Sequence, residues 1–183
     1  LCRQCDFDWL YKDGARRVFP DYWEEFVSPI PIAERGDLMK AYYERLTGDD
    51  ELARMAAAKY WSAWEGSCSK LRPSPEALAS FTKPHNALAL ARLEIHYFMN
   101  KGFVDENHIL DNMHLIRDIP GRIVHGRYDM VCPLDNALAL HKHWPAAELH
   151  IVRDSGHSAS EPGTVDALIR ATADIAKKLE NFN

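Results

Sequence analysis

The middle of the chain has the hydrophobic periodicity of helices. The segment RGDLMKAYYERLTGDD places its apolar residues on one face of a helix, which Thr47 and Gly48 end. The alanine-rich segment DELARMAAAKYWSAWEGS favours a second helix that ends at Gly66. PHNALALARLEIHYFMNKG predicts a third helix that ends at Gly102, and DENHILDNMHLI predicts a fourth.

After Pro120 the pattern changes to alternating strands and helices. GRIVHG and AELHIV are short β-branched runs, and each is followed by an amphipathic helical segment. This order predicts an α/β fold with a parallel sheet. Two parallel strands are marginal alone, because such strands are normally buried on both faces. We therefore expect the last edge of a larger sheet, whose other strands lie outside this sequence, and a helical middle carried as an insertion.

The composition excludes some classes of protein but does not identify one. The 183 residues carry a net charge of -5, which argues against a nucleic-acid binder, and no apolar run is long enough for a membrane helix. The first residue is Leu1 and the first methionine is Met39, so we expect a missing upstream segment. Four scattered cysteines favour a reducing, cytoplasmic location. The pair Cys2-x-x-Cys5 allows zinc or redox chemistry, but the absence of a second pair favours free thiols and no metal.

Two polar residues follow the two predicted strands. Asp129 lies three residues after Gly126, and His157 lies five residues after Val152. The carboxyl ends of adjacent parallel strands meet, so this aspartate and this histidine can form the base half of a Ser-His-Asp triad. Their order along the chain is that of α/β-hydrolases, in which the serine precedes both.

The serine nucleophile itself is not evident. Gly156 to Ser160 nearly matches the G-x-S-x-G elbow, but Ser160 replaces the last glycine and Pro162 disfavours helical geometry just before it. No aspartate and histidine follow Ser158 in the required order, and Ser67 also lacks the motif. The sequence therefore predicts that the nucleophile is absent from this chain.

Two acids occupy apolar faces of the predicted helices. Glu94 lies among apolar residues of the third helix, and Glu65 follows two tryptophans of the second. A buried carboxylate needs a partner, which is either an internal cation such as Arg92 or Lys101 or the positive charge of a ligand, unless it is simply exposed at a helix end. The nearby aromatics are expected in the core and four histidines are expected to be structural or exposed. These are Trp61, Trp64, Tyr97 and Phe98, and His96, His125, His141 and His143.

Five stretches together resemble the bacterial proline iminopeptidases, or prolyl aminopeptidases. They are FPDYWEEF, AAAKYWSAWEGS, ALALARLEIHYFMNKGF, IPGRIVHGRYDMVCPLDNALALHKHWP and DSGHSASEPG. The resemblance implies an α/β-hydrolase with an inserted helical cap, and a cofactor-free serine peptidase that releases N-terminal proline from peptides. It implies Asp129 and His157 as catalytic residues, and Glu65 and Glu94 as ligands of the substrate's imino group. The family's HGGPG oxyanion-hole stretch and serine elbow have no counterpart here.

The resemblance also sets the expected organisation and function. Residues 1–30 lead from the core into the cap, residues 31–115 form the cap, and residues 116–183 form the C-terminal part of the core. The chain alone is expected to be inactive. Its expected partners are a peptide substrate with an N-terminal proline and either a second copy of the chain, in a homo-oligomer, or the missing N-terminal half. The alternatives are another α/β-hydrolase, such as an esterase, and a non-catalytic module that binds a partner or dimerises through its open sheet edge.

Overall fold

The computed structural model describes residues 3–180, which form two compact units. The helical unit contains residues 3–68 and 72–106, and the strand unit contains residues 69–71 and 107–180. The domain boundaries expected from the sequence stay a prediction. Cys2 lies outside the described residues, and so does the hypothesis of a Cys2–Cys5 site.

The helical unit contains six α-helices. They are α1 (Gln4–Asp8), α2 (Pro20–Val27), α3 (Leu38–Thr47), α4 (Glu51–Cys68), α5 (Pro75–Phe81) and α6 (Pro84–Met99). Side-chain caps start three of them, since Asp37 accepts from Lys40 N, Asp50 from Ala53 N and Ser74 from Ala77 N. The second predicted helix was expected to end at Gly66, but α4 continues for two more residues. The sequence analysis did not predict α5, although Ser74 followed by Pro75 is a signal for the start of a helix.

An aromatic cluster forms the core of the helical unit. Phe26, Tyr42, Trp61 and Trp64 are fully buried where α4 packs against α2, α3 and α6. The Tyr42 and Phe26 rings stack at 4.7 Å, and the Tyr42 hydroxyl donates to the Phe26 carbonyl at 2.6 Å. Burial raises the pKa of Tyr42. Each such ring contributes about 1.5–3 kcal/mol of burial free energy.

Four aromatic residues were expected in the core, and the structure places two of them there, one partly buried and one at the surface. Trp61 and Trp64 lie in the core, and Phe98 is half-buried. Tyr97, however, is 52% exposed and packs edge-on against Phe103 at the surface. Position 97 follows the buried Ile95 by only two residues, which turns it away from the core face of α6.

The strand unit confirms the predicted order of strand, helix, strand and helix. Its elements are α7 (His108–Asp111), β1 (Gly121–Gly126), α8 (Leu134–His143), β2 (Ala147–Val152) and α9 (Pro162–Glu180). β1 and β2 pair in parallel, with Gly121 opposite Ala147 and Gly126 opposite Val152. The predicted fourth helix is wrong in length: α7 is a single turn, because the Asn112 amide donates to the His108 carbonyl where the helix ends.

The described chain is thus mostly helical with a small parallel sheet, consistent with the C-terminal part of an α/β fold plus a helical cap. Within residues 3–180, we find no helix with the length and apolar character to cross a membrane.

The end of β1 lies directly against the loop that follows β2. A Cβ atom on Gly126 would lie 2.0 Å from the Gly156 carbonyl oxygen, so only glycine fits there. Backbone bonds join the same two segments, from Arg127 N to Val152 O at 2.8 Å and from Tyr128 N to Ser155 O at 2.9 Å. This contact brings the two strand-end loops together and positions the candidate site.

Candidate active site

Asp129 is held in a fixed orientation by the turn after β1. Its side chain is only 6% exposed. Its Oδ1 accepts from the backbone N–H groups of Val131 at 3.0 Å and Cys132 at 2.7 Å. These two hydrogen bonds fix the plane of the carboxylate.

His157 lies in the loop 153–161 and faces Asp129. Its Nδ1 is 3.0 Å from Oδ2 and 3.1 Å from Oδ1 of that carboxylate. This contact assigns the Nδ1 proton to the bond with Asp129 and leaves Nε2 as the nitrogen that can exchange a proton with a nucleophile. The imidazole is 36% exposed, so part of it is accessible to other molecules.

The surroundings of His157 favour its charged form. Burial lowers the pKa of His157, but the hydrogen bonds that the imidazole makes with the side chains of Asp129 and Cys132, together with the charge of Asp129, outweigh it and raise the pKa to about 10. The site therefore stabilises the imidazolium form of His157 next to Asp129. This is the form that a general base takes after it has accepted a proton.

His125 is a further member of this cluster. It was expected to be structural or exposed, and it lies on β1 with Nε2 3.0 Å from the Cys132 carbonyl oxygen and 3.5 Å from Asp129 Oδ2. The sequence could have indicated this position, because His125 lies at the end of β1, four residues before Asp129.

Ser158 has contacts that differ from those of an activated serine. Its hydroxyl is 2.8 Å from the Ser160 hydroxyl, and its backbone N–H donates to the Ser69 carbonyl at 2.8 Å. The helix that follows begins only at Pro162, so the segment is a loop between β2 and α9. The exclusion of Ser158 as a nucleophile stays a prediction with which these contacts agree.

The two acids of the helical unit lie at the packing of α4 against α6. The Trp61 indole N–H on α4 donates to Glu94 Oε2 on α6 at 2.7 Å. Glu65 follows Trp61 by one turn on the same face of α4, and one of its carboxylate oxygens is buried. Glu65 lies about one turn before Cys68 on α4, and burial, followed by the negative charge of Glu65, raises the pKa of the Cys68 thiol. Both acids therefore border the buried aromatic cluster.

No metal centre is evident in the part of the chain that the structure describes. Its residues include no group of three His, Cys, Asp or Glu side chains that could hold an ion.

Adjacent parallel strands that present an aspartate and then a histidine have the arrangement of an α/β-hydrolase. Comparison with known proteins makes this class specific, although no family model matches the chain. The proline iminopeptidase of Xanthomonas citri is 53% identical over 177 residues, which are 96% of this chain and 56% of the relative. The enzyme of that name from Arabidopsis thaliana is 48% identical over 173 residues, 93% of this chain and 46% of the relative.

A more distant relative gives the same result. The proline iminopeptidase of Neisseria meningitidis serogroup B is 41% identical over 184 residues, 98% of this chain and 57% of the relative. The chain is thus a homologue of the proline iminopeptidases over nearly all of its own length. It spans about half the length of these relatives, as a C-terminal portion of such an enzyme would.

Proposed function

We propose that the chain carries the catalytic base and the substrate-binding cap of a proline iminopeptidase, with Asp129 and His157 as catalytic residues. The main support is the bond from His157 Nδ1 to Asp129 Oδ2 at 3.0 Å, formed between loops at the carboxyl ends of two parallel strands. The cap corresponds to residues 31–115 and the core portion to residues 116–183. The scattered cysteines support a cytoplasmic location.

The proposed reaction begins at a serine that this chain does not supply. His157 Nε2 takes the proton of the serine hydroxyl, and the serine oxygen attacks the carbonyl carbon of the N-terminal proline. The bond from that carbon to the next residue's nitrogen breaks, and His157 returns the proton to the leaving amine. Water, again activated by His157, then hydrolyses the prolyl ester and releases proline. Asp129 stabilises the imidazolium in both steps.

Glu65 and Glu94 hold the substrate's N-terminal nitrogen in this proposal. A prolyl amine is cationic at neutral pH and can donate charge-assisted hydrogen bonds to carboxylates. The Trp61 N–H orients Glu94 with an uncharged donor, so this bond does not neutralise the carboxylate. Recognition of a free N-terminus makes the enzyme an aminopeptidase.

The proposal is tested by comparing this chain with a chimera. In the chimera, the chain replaces its matching segment in the Xanthomonas citri homologue, which provides the remaining part of the protein. We expect the chain alone to give no hydrolysis of a prolyl arylamide and the chimera to hydrolyse it. An arylamide of N-acetylated proline is the control, and it should not be cleaved.

Besides a folded but inactive chimera, two results would contradict the proposal. One is turnover by the chain alone that a serine-directed inhibitor abolishes. The other is a folded chimera that cleaves the acetylated and the free prolyl arylamide equally well.

A further inference from the structure

A buried carboxylate lies beside the loop that carries His157. Glu161 is the last residue of that loop and is only 8% exposed. Its Oε2 accepts from the Gly156 N–H at 2.7 Å, and its Oε1 accepts from the Leu71 N–H at 2.6 Å. One carboxylate therefore joins two separate segments of the strand unit, the loop 153–161 and the segment 69–71.

The residues on both sides of His157 are tied to the same segment. Gly156 precedes it and bonds Glu161, while Ser158 follows it and donates from its backbone N–H to the Ser69 carbonyl at 2.8 Å. A Cβ atom on Gly156 would lie 2.9 Å from Leu71 N, so the two backbones are in close contact. The backbone of the histidine is thus restrained before and after the imidazole.

The backbone of Glu161 has a different role from its side chain. Its carbonyl accepts from Val165 N at 2.9 Å, which begins α9, whereas its carboxylate turns back toward the loop. Exposed glutamates at helix starts commonly bond the helix's own first N–H groups. The side chain of Glu161 is instead committed to Gly156 and Leu71.

We propose that Glu161 is a positioning residue for His157: its carboxylate bonds the Gly156 and Leu71 amides together and so holds the imidazole against Asp129. The relevance of this role to turnover rests on the proposed function. The positioning role itself does not depend on the proposed function, because it concerns the His157–Asp129 contact in this chain. Two backbone amides satisfy both oxygens of a buried carboxylate, which would otherwise be costly to bury.

The test is NMR spectroscopy of this chain with Glu161→Gln. Glutamine has the same shape, but its amide group turns a donor toward one of the two N–H groups. We expect hydrogen exchange at Gly156 and Leu71 to become about tenfold faster or more, and the titration midpoint of His157 to fall by about one pH unit or more, because its pairing with Asp129 loosens.

Glu148→Gln is the matched control. Glu148 lies on β2 in the same unit and is exposed, with ion pairs to Arg122 at 2.7 Å and Lys178 at 3.1 Å. This variant should leave both readouts unchanged. The proposal is wrong if Glu161→Gln speeds amide exchange but leaves the His157 midpoint where it was, since Glu161 would then have only a structural role.

A second variant and a measurement on the unmodified chain keep the proposal testable if Glu161→Gln does not fold. Gly156→Ala pushes the loop away from Leu71 and should lower the His157 midpoint in the same direction. In the unmodified chain, hydrogen exchange at the amides of Gly156 and Leu71 should be slow, because both donate to the buried Glu161 carboxylate. Fast exchange at either amide would overturn the proposal.

The chimera separates failure of this inference from failure of the proposed function. If both hold, Glu161→Gln in the chimera lowers kcat about tenfold and leaves KM nearly unchanged, because Glu161 is buried and both of its carboxylate oxygens accept from backbone amides. An inactive chimera would count against the proposed function alone, since the His157 midpoint is measured without turnover. An active chimera whose kcat is unaffected by Glu161→Gln would overturn the positioning role.

Discussion

Two carboxylates, one in each unit, are held in different ways. Asp129 in the strand unit accepts from two backbone amides and faces a histidine, whereas Glu94 in the helical unit accepts from the Trp61 indole. Loops at strand ends have backbone N–H groups to offer, while the interior of a helix uses its own N–H groups for its own bonds. An acid on a helix must therefore find its partners among side chains.

This difference indicates different uses for the two acids. A carboxylate fixed by main-chain donors keeps one geometry and suits a permanent partner such as His157. A carboxylate set among side chains on the face of a helix suits a ligand that arrives and leaves, which is the role that we propose for Glu65 and Glu94. Five predictions test this contrast.

The largest effect is expected at the fixed pair. In the chimera, His157→Ala and Asp129→Asn should each lower kcat for a prolyl arylamide by about four orders of magnitude, because the serine loses its base or the base loses its tautomer. His143→Ala is the control, since His143 lies on α8 and its Nδ1 contacts the Ala139 carbonyl. Loss of less than tenfold in the first two variants would remove their catalytic role.

The second effect concerns the charge on His157 and needs no turnover. The hydrogen bond and charge of Asp129 raise the pKa of His157 to about 10 against the opposing effect of burial. Asp129→Asn in this chain should therefore lower the pKa below the ordinary histidine value of 6.5, as measured by NMR titration. A midpoint that stays near 10 in this variant would show that another group supports the imidazolium.

The same shift predicts a pH dependence of stability. Because the pKa of His157 is higher in the folded chain than the unfolded value of 6.5, pairing with Asp129 stabilises the fold fully below pH 6.5. This contribution decreases as the pH rises and is lost above about pH 10. The difference in free energy of unfolding between the unmodified chain and Asp129→Asn should decrease over that range in urea titrations.

The strand unit was largely predictable because its signals are local. Both strands have the predicted bounds, Gly121–Gly126 and Ala147–Val152, since glycine, proline and charged residues delimit short β-branched runs. Parallel pairing then places the two strand-end loops together, so the contact between Asp129 and His157 follows from topology. The sequence could predict this pair without knowledge of any distance.

Contacts made through the tertiary fold could not be predicted in the same way. Glu161 bonds Leu71, which is 90 positions away along the chain, and no sequence pattern links the two. The contact of His125 with Asp129 depends on the turn at residues 126–129. The surface position of Tyr97 depends on which face of α6 packs against its neighbours, and the apolar residues Phe98 and Met99 that follow it left this open.

The third effect is smaller and tests the ligand-binding acids. In the chimera, Glu65→Gln and Glu94→Gln should each lower kcat/KM for a prolyl arylamide by about 10- to 100-fold, as expected for the loss of a hydrogen bond between charged groups. Hydrolysis of an ester without an amine should change little in either variant. Equal losses on both substrates would indicate that these acids support the cap rather than the substrate's amine.

The smallest effect concerns the donor that holds Glu94. Trp61 and Trp64 are buried to a similar extent on α4, but the Trp61 N–H bonds Glu94, whereas the buried Trp64 N–H has no hydrogen-bond partner among the described residues. Replacement of either by phenylalanine removes similar ring volume. Trp61→Phe should therefore lower the free energy of unfolding by about 1–2 kcal/mol more than Trp64→Phe, as measured by urea titration. Equal losses would mean that the indole bond contributes nothing net, and that Glu94 is held by other contacts of the helical unit.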